Sequence, residues 1–132
     1  MILPLLFLLM ASFSTPTTLS ADTETPLKNP QTISAYVKEY YADTPILIDI
    51  AWCESRYRQW GTDGKIFRGA VNRQDVGVMQ INADYHAVKA QSLGMDIYGL
   101  SGNLAYAQYL FDTQGTKPWA SSEACWDKIA QK

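Results

Sequence analysis

The sequence predicts a mainly α domain with one small β region, arranged around a buried central helix. Four segments show helical apolar spacing or helix-capping residues, whereas residues 56–80 lose that period and are punctuated by glycine. One of the four, opened by Thr44-Pro45, is apolar on nearly every side, as a helix enclosed by others must be. Of 132 residues, 47% are hydrophobic and 18% charged, a globular balance that fits one domain at this length.

Ile2 to Met10 is apolar apart from Pro4, and a small, polar stretch follows from Ser12 to Ala21. The run falls short of the ~20 residues that span a bilayer and suits the core of an export signal, so residues 1–21 are expected to be removed. The segment carries no Lys or Arg before its apolar core, and Leu19-Ser20-Ala21 offers a cleavage site. Residues 22–31 are polar with two prolines and are expected to be a linker, leaving 32–132 as the domain.

In the first expected helix, Thr32 to Tyr41, Ile33, Tyr36, Val37 and Tyr40 recur at i, i+3, i+4 and i+7. Thr44 and Pro45 are residues suited to the cap and first position of the next, Pro45 to about Ser55. From Arg56 to Gln80, short β-like pieces are expected around Ile66-Phe67 and Val76 to Ile81. Asn82 is expected to cap a helix running to about Leu93 and closed by Gly94. Ser101 is expected to cap another over Gly102 to Gln114, closed by Gly115. The tail, Lys117 to Lys132, gathers Trp119, Cys125 and Trp126 in a compact segment.

Eleven Lys and Arg against thirteen Asp and Glu give a net charge of -2, unlike a nucleic-acid binder. Two Cys and one His are too few for a structural zinc site, and no phosphate-cradling glycine loop occurs. No metal and no cofactor are therefore expected. In an exported chain an even cysteine count suggests pairing, here Cys53 with Cys125; two buried free thiols are the alternative. Closing a loop of about seventy residues contributes roughly 2–4 kcal/mol.

Glu54 is the residue that needs an explanation, because it ends a wholly apolar helix beside Trp52 and Cys53. Desolvation and the negative end of the helix dipole both disfavour the charged carboxylate. Both effects favour an acid able to donate a proton near neutral pH. A Glu paired with Arg56 or Arg58 is the alternative from the environment alone.

Trp52-Cys53-Glu54-Ser55-Arg56-Tyr57-Arg58-Gln59, followed by Asp75-Val76-Gly77-Val78-Met79-Gln80-Ile81-Asn82, resembles the paired signature of the lytic transglycosylase domain of the lysozyme superfamily. Asn103 to Phe111 resembles that family's later helix, and Pro118-Trp119 through Cys125-Trp126 the ending of some small members. The resemblance covers roughly residues 32–126. It implies a lysozyme-like fold, with the β-hairpin region lining a cleft. It also implies cleavage of the β-1,4 bond between muramic acid and glucosamine in peptidoglycan. Glu54 matches the family's single acid/base, which protonates the leaving oxygen and then activates the muramoyl 6-hydroxyl, leaving a 1,6-anhydro end.

The resemblance further implies Gln80 as a substrate contact, with Ser55, Met79, Asn82 and Tyr106 as further candidates. Each has a structural alternative: Ser55 as a polar cap of its helix, Met79 as packing beneath the cleft, and Tyr106 or its neighbour Tyr109 as core. His86 is expected on a helix surface or in packing. Arg56, Arg58, Lys65, Arg68 and Arg73 against Asp63 make residues 56–73 net positive by four, a patch that could steer an anionic polymer.

In many relatives an Ala-Tyr-Asn-Ala-Gly run supplies the Tyr that holds the catalytic Glu. Here Trp119-Ala120-Ser121 stands roughly in its place, which leaves open what orients Glu54. Asp75, two residues before Gly77, also resembles the second carboxylate of animal-type lysozymes, in which a protonated Glu and an ionised Asp divide the work. A turn residue beside Gly77 is its alternative. A hydrolytic lysozyme using Glu54 and Asp75, and a non-catalytic peptidoglycan-binding module, are thus the competing readings. The expected protein is a secreted or periplasmic monomer of the cell envelope, without a stable membrane span after signal cleavage. Its expected partners are peptidoglycan glycan strands, with no nucleic acid; a secretion or conjugation apparatus that needs an opening in the wall is a further candidate.

Overall fold

A computed structural model of the chain describes residues 30–132. The expected signal and all but the last two residues of the expected linker lie outside them. Among the described residues the fold is mainly helical with one small sheet. Its order is α1 (Pro30–Tyr40), α2 (Pro45–Ser55), β1 (Asp75–Val76), β2 (Ile81–Asn82), α3 (Ala83–Ser92), α4 (Leu100–Gln114), a 3-10 turn (Lys117–Ser122) and α5 (Glu123–Ala130). None of these helices is long and apolar enough to cross a membrane.

Helix α2 packs against α1, α5 and the 3-10 turn, which is why it is apolar on nearly every side. Leu47, Ile50 and Ala51 are fully enclosed. Pro45 sits in the first turn as expected, but the Thr44 side chain makes no capping bond. The other end stops abruptly. Arg56 and Tyr57 are consecutive non-glycine residues in the left-handed region, at φ 56 and 59, and the Arg56 N–H donates back to the Trp52 carbonyl. Such backbone is held only where surrounding contacts over-determine it. Here it ends the helix directly behind Glu54 and Ser55.

The buried seam of α1 runs through Ile33 and Val37 and continues to Tyr41, the residue just past its end, rather than to Tyr40, which stays exposed. Tyr41 wins because its hydroxyl donates to the Leu104 carbonyl at 2.7 Å, tying α1 to α4 while burying the ring. Strands β1 and β2 are antiparallel, with Asp75 opposite Asn82 and Val76 opposite Ile81, and isolated bridges pair Trp60 with Ile66 and Arg68 with Val76.

The turn between the strands is buried and depends on two enclosed amides. Gln59 Oε1 accepts from the Val78 N–H, and Asn103 Oδ1 from the Met79 N–H. The Asn103 amide nitrogen donates to the Val76 and Ile97 carbonyls. Gly77, at φ +72, leaves room for both: a Cβ there would lie 2.5 Å from the Gln59 oxygen and 2.6 Å from the Asn103 nitrogen. These polar contacts replace a longer β ladder.

Asn82 caps α3 as expected, accepting from the Tyr85 N–H. Helix α4 starts at Leu100 with Gly99 at its cap, two residues before the expected Gly102 start and Ser101 cap. Burial of Ile97, Leu100 and Leu104 draws the earlier residues into the helix. The tail holds a fifth helix that the sequence pattern did not announce, since eight residues give little periodicity. It is held by the Trp126 indole N–H on the Trp119 carbonyl and by the Cys53–Cys125 disulfide, which bridges 72 residues at a Cα separation of 5.9 Å.

Candidate active site

A cleft of about 260 Å³ opens where the end of α2, the small sheet, α3 and the 3-10 turn meet; Glu54, Asp75, Gln80, Asn82, Tyr85, His86 and Trp119 line it. The Trp119 indole N–H donates to the Met79 carbonyl at 2.9 Å, joining the 3-10 turn to the turn between the strands. Gln80 enters the cleft in the left-handed region, at φ 49, with its amide donating to the Gly77 carbonyl.

Glu54 is half-buried, and the Ser122 hydroxyl donates to its Oε1 at 2.6 Å. Burial pushes the Glu54 carboxyl above its ordinary range; the Ser122 bond opposes that rise, and the negative charge of Asp75 adds to it. The net result is an acid kept closer to neutral pH than an exposed Glu, facing a cleft. Ser122 Oγ also lies 3.2 Å from the Trp119 carbonyl. The hydroxyl therefore has a second acceptor to turn to when Glu54 carries the proton and donates to Ser122 Oγ. The contact with Glu54 can be kept in both protonation states.

Asp75 stands opposite Asn82 in the sheet and accepts its amide N–H at 2.9 Å. The two carboxylates share one cleft, with Asp75 tied to the sheet and Glu54 to the tail. Neither Lys nor Arg lines this cleft. Among the described residues, no three His, Cys, Asp or Glu side chains gather as a metal site would need.

Gln80 and Asn82 are on the cleft wall, where a glycan contact was expected of them. Ser55, Met79 and Tyr106, expected as further contacts, lie beneath the wall, at 1%, 0% and 1% exposure. Ser55 Oγ donates to the Ala51 carbonyl and accepts the Arg58 N–H, so it closes the helix end and has no face for a ligand. Met79 packs in the core and presents only its backbone to partners. The Tyr106 hydroxyl meets His86 Nδ1 at 2.9 Å. The expected basic patch also disperses. Arg58 stacks on Phe67, Arg68 donates to the Arg73 carbonyl, and Arg56 stacks on Trp52 in a separate hollow with Lys38 and Tyr57.

Three residues of the site were not singled out as contacts from the sequence: Ser122, which reaches Glu54, and the cleft residues His86 and Tyr85. The Ala-Tyr-Asn-Ala-Gly gap pointed to Trp119-Ala120-Ser121, one residue short of the side chain that reaches Glu54. The pairing of Cys53 with Cys125 was the available signal, since it brings the segment just before Cys125 to the end of α2. Tyr85 is 81% exposed at the cleft edge, and only the direction of α3 away from its Asn82 cap places it there. Comparison of the chain with protein-family models, curated proteins and solved structures finds no match.

Proposed function

We propose that the protein is an exported peptidoglycan lytic transglycosylase with a lysozyme-like fold, cleaving the muramic acid–glucosamine β-1,4 bond with Glu54 as its single acid/base. One observation carries the reading: a half-buried carboxyl, raised by burial, sits at the end of an apolar helix and faces a cleft. The paired motifs around Glu54 and Gly77-Val78-Met79-Gln80 supply the reaction class by resemblance. Glu54 donates its proton to the leaving glycosidic oxygen as that bond breaks. As carboxylate it then takes the proton of the muramoyl 6-hydroxyl, whose oxygen bonds to the anomeric carbon. The acid is regenerated, and no water enters the product. The disulfide fits an oxidising compartment outside the cytoplasm.

A hydrolytic lysozyme is the second reading, favoured by the presence of Asp75 in the same cleft, close enough to act on Glu54. The Asn82 amide engages Asp75 Oδ1 and leaves Oδ2 able to act, so the reaction product separates the two readings. A purely binding module is disfavoured because binding alone gives no reason to hold a carboxyl in an unfavourable half-buried position.

Mass spectrometry of digested peptidoglycan tests the proposal. Products ending in 1,6-anhydromuramic acid, lighter by one water and inert to borohydride, are expected. Reducible ends, together with an inactive Asp75→Asn enzyme, would instead make the protein a hydrolase.

A further inference from the structure

His86 stands in the cleft wall although its sequence context suggested only surface or packing. It is half-buried on the first turn of α3, with Nδ1 2.9 Å from the Tyr106 hydroxyl and ring centroids 5.4 Å apart. We infer that the Tyr106 hydroxyl holds His86 in one tautomer, with its proton on Nε2, so that the ring offers the cleft a neutral hydrogen-bond donor for an oxygen of an acetamido sugar. This deepens the proposed function and rests on it for the identity of the ligand.

The argument is a count of protons. Tyr106 is 1% exposed, and its hydroxyl makes no other hydrogen bond among the described residues. Burial, with a smaller contribution from Tyr109, pushes the phenol's ionisation up, so the proton stays on the oxygen. That proton needs an acceptor, and Nδ1 is the one within reach. Burial pushes the His86 imidazole below its ordinary value, which favours the neutral ring. A neutral imidazole whose Nδ1 accepts carries its single proton on Nε2. The reverse tautomer would leave the phenol proton buried without a partner.

The surrounding wall makes a fixed donor useful. Glu54 and Asp75 are carboxylates on this wall, and the Gln80 and Asn82 amides each already give a proton, to the Gly77 carbonyl and to Asp75. A sugar carbonyl or hydroxyl oxygen brought against these groups gains from a donor held in place by packing. Tyr85, the residue before His86, adds an exposed ring at the same cleft. An apolar ring face beside a fixed polar donor suits a pyranose, whose faces are apolar and whose rim is polar.

The test uses the full-length oxidised protein. Two-bond ¹⁵N–¹H correlation at neutral pH reads the His86 tautomer directly, and no substitution is needed. Nε2–H with a bare Nδ1 is expected, with the two forms mixing in Tyr106→Phe. Calorimetry with tri-N-acetylglucosamine, in a Glu54→Gln background that prevents turnover, reads the donor. His86→Phe is expected to weaken binding about tenfold, the loss of one hydrogen bond. His86→Gln, which restores an N–H, is expected to recover most of it. An Nδ1–H form in the wild-type protein, or unchanged affinity in His86→Phe, overturns the inference. Failure of the functional reading is seen elsewhere, as an absence of peptidoglycan cleavage by the wild-type protein.

Discussion

Replacing Ser122 by Ala removes one hydroxyl from the tail and deprives Glu54 of the partner that donates to it at 2.6 Å. A hydrogen bond to a charged group contributes about 1.5–3 kcal/mol, and the half-exposed setting of Glu54 argues for the lower part of that range. At 1.36 kcal/mol per decade, the turnover rate should fall about ten- to thirtyfold. KM should stay where it is, because the Ser122 hydroxyl touches the acid and not the glycan. Ser122→Thr, which keeps the hydroxyl, should restore most of the rate.

The pH profile provides the sharper test. The Ser122 bond favours the ionised form of Glu54, so its loss moves the Glu54 pKa further up. An acid catalyst works only while protonated, so the alkaline limb of the profile should move to higher pH. Asp75→Asn removes a negative charge that raises the same pKa, so that limb should move to lower pH. Release of soluble fragments from purified peptidoglycan, followed across pH for the three proteins, reads both effects. A limb that stays in place or moves down in Ser122→Ala would refute the assignment of Ser122 as the residue that holds the acid.

Glu54→Gln should reduce cleavage by on the order of 10²–10⁴ or more, measured on the same substrate. It should also raise the melting temperature at neutral pH, where a buried carboxyl opposes folding, with the gain vanishing below about pH 4, when both folded and unfolded states are protonated. Thiol titration of the native protein after denaturation should find neither Cys53 nor Cys125 free. Reduction should cost roughly 2–4 kcal/mol in chemical unfolding and lower the cleavage rate as well. Asn103→Ala leaves the Met79 N–H and the Val76 and Ile97 carbonyls without their partner; at about 1–3 kcal/mol per buried group, urea unfolding should show a loss of several kcal/mol.

Local chemistry made much of this molecule legible in its sequence. The Thr44-Pro45 start and the all-round apolarity of α2 give both the helix and its central position, and Asn82 gives the start of α3. The choice of Tyr41 over Tyr40 came from a packing partner 63 residues away in the chain, which no local period encodes. The same distinction runs through the site. Glu54 stands out because a carboxylate at the end of an apolar helix is a local anomaly. Ser55 and Met79 belong to the same pair of motifs but turned inward: the rotation of α2 buries Ser55, and the turn between the strands carries the Met79 side chain into the core. Ser122 and His86 became visible only once the tail and α3 had been folded against α2 and α4.

The disulfide explains why a small serine suffices to hold the acid. Cys53 precedes Glu54 by one residue, and Cys125 follows Ser122 by three, so the bond closes the chain beside the hydrogen bond it serves. With the 72-residue loop already closed, bringing Ser122 to Glu54 orders only a few more torsions, and one short hydrogen bond outweighs that entropy. The Trp119 indole on the Met79 carbonyl and the Trp126 indole on the Trp119 carbonyl fix the 3-10 turn from its other side. Without the disulfide, the Ser122 hydroxyl would depend on those two bonds and on the packing of α5 and the 3-10 turn against α2 to stay within reach of the carboxyl. The proposed catalysis therefore depends on this covalent bond, because its closure holds the proposed acid in place.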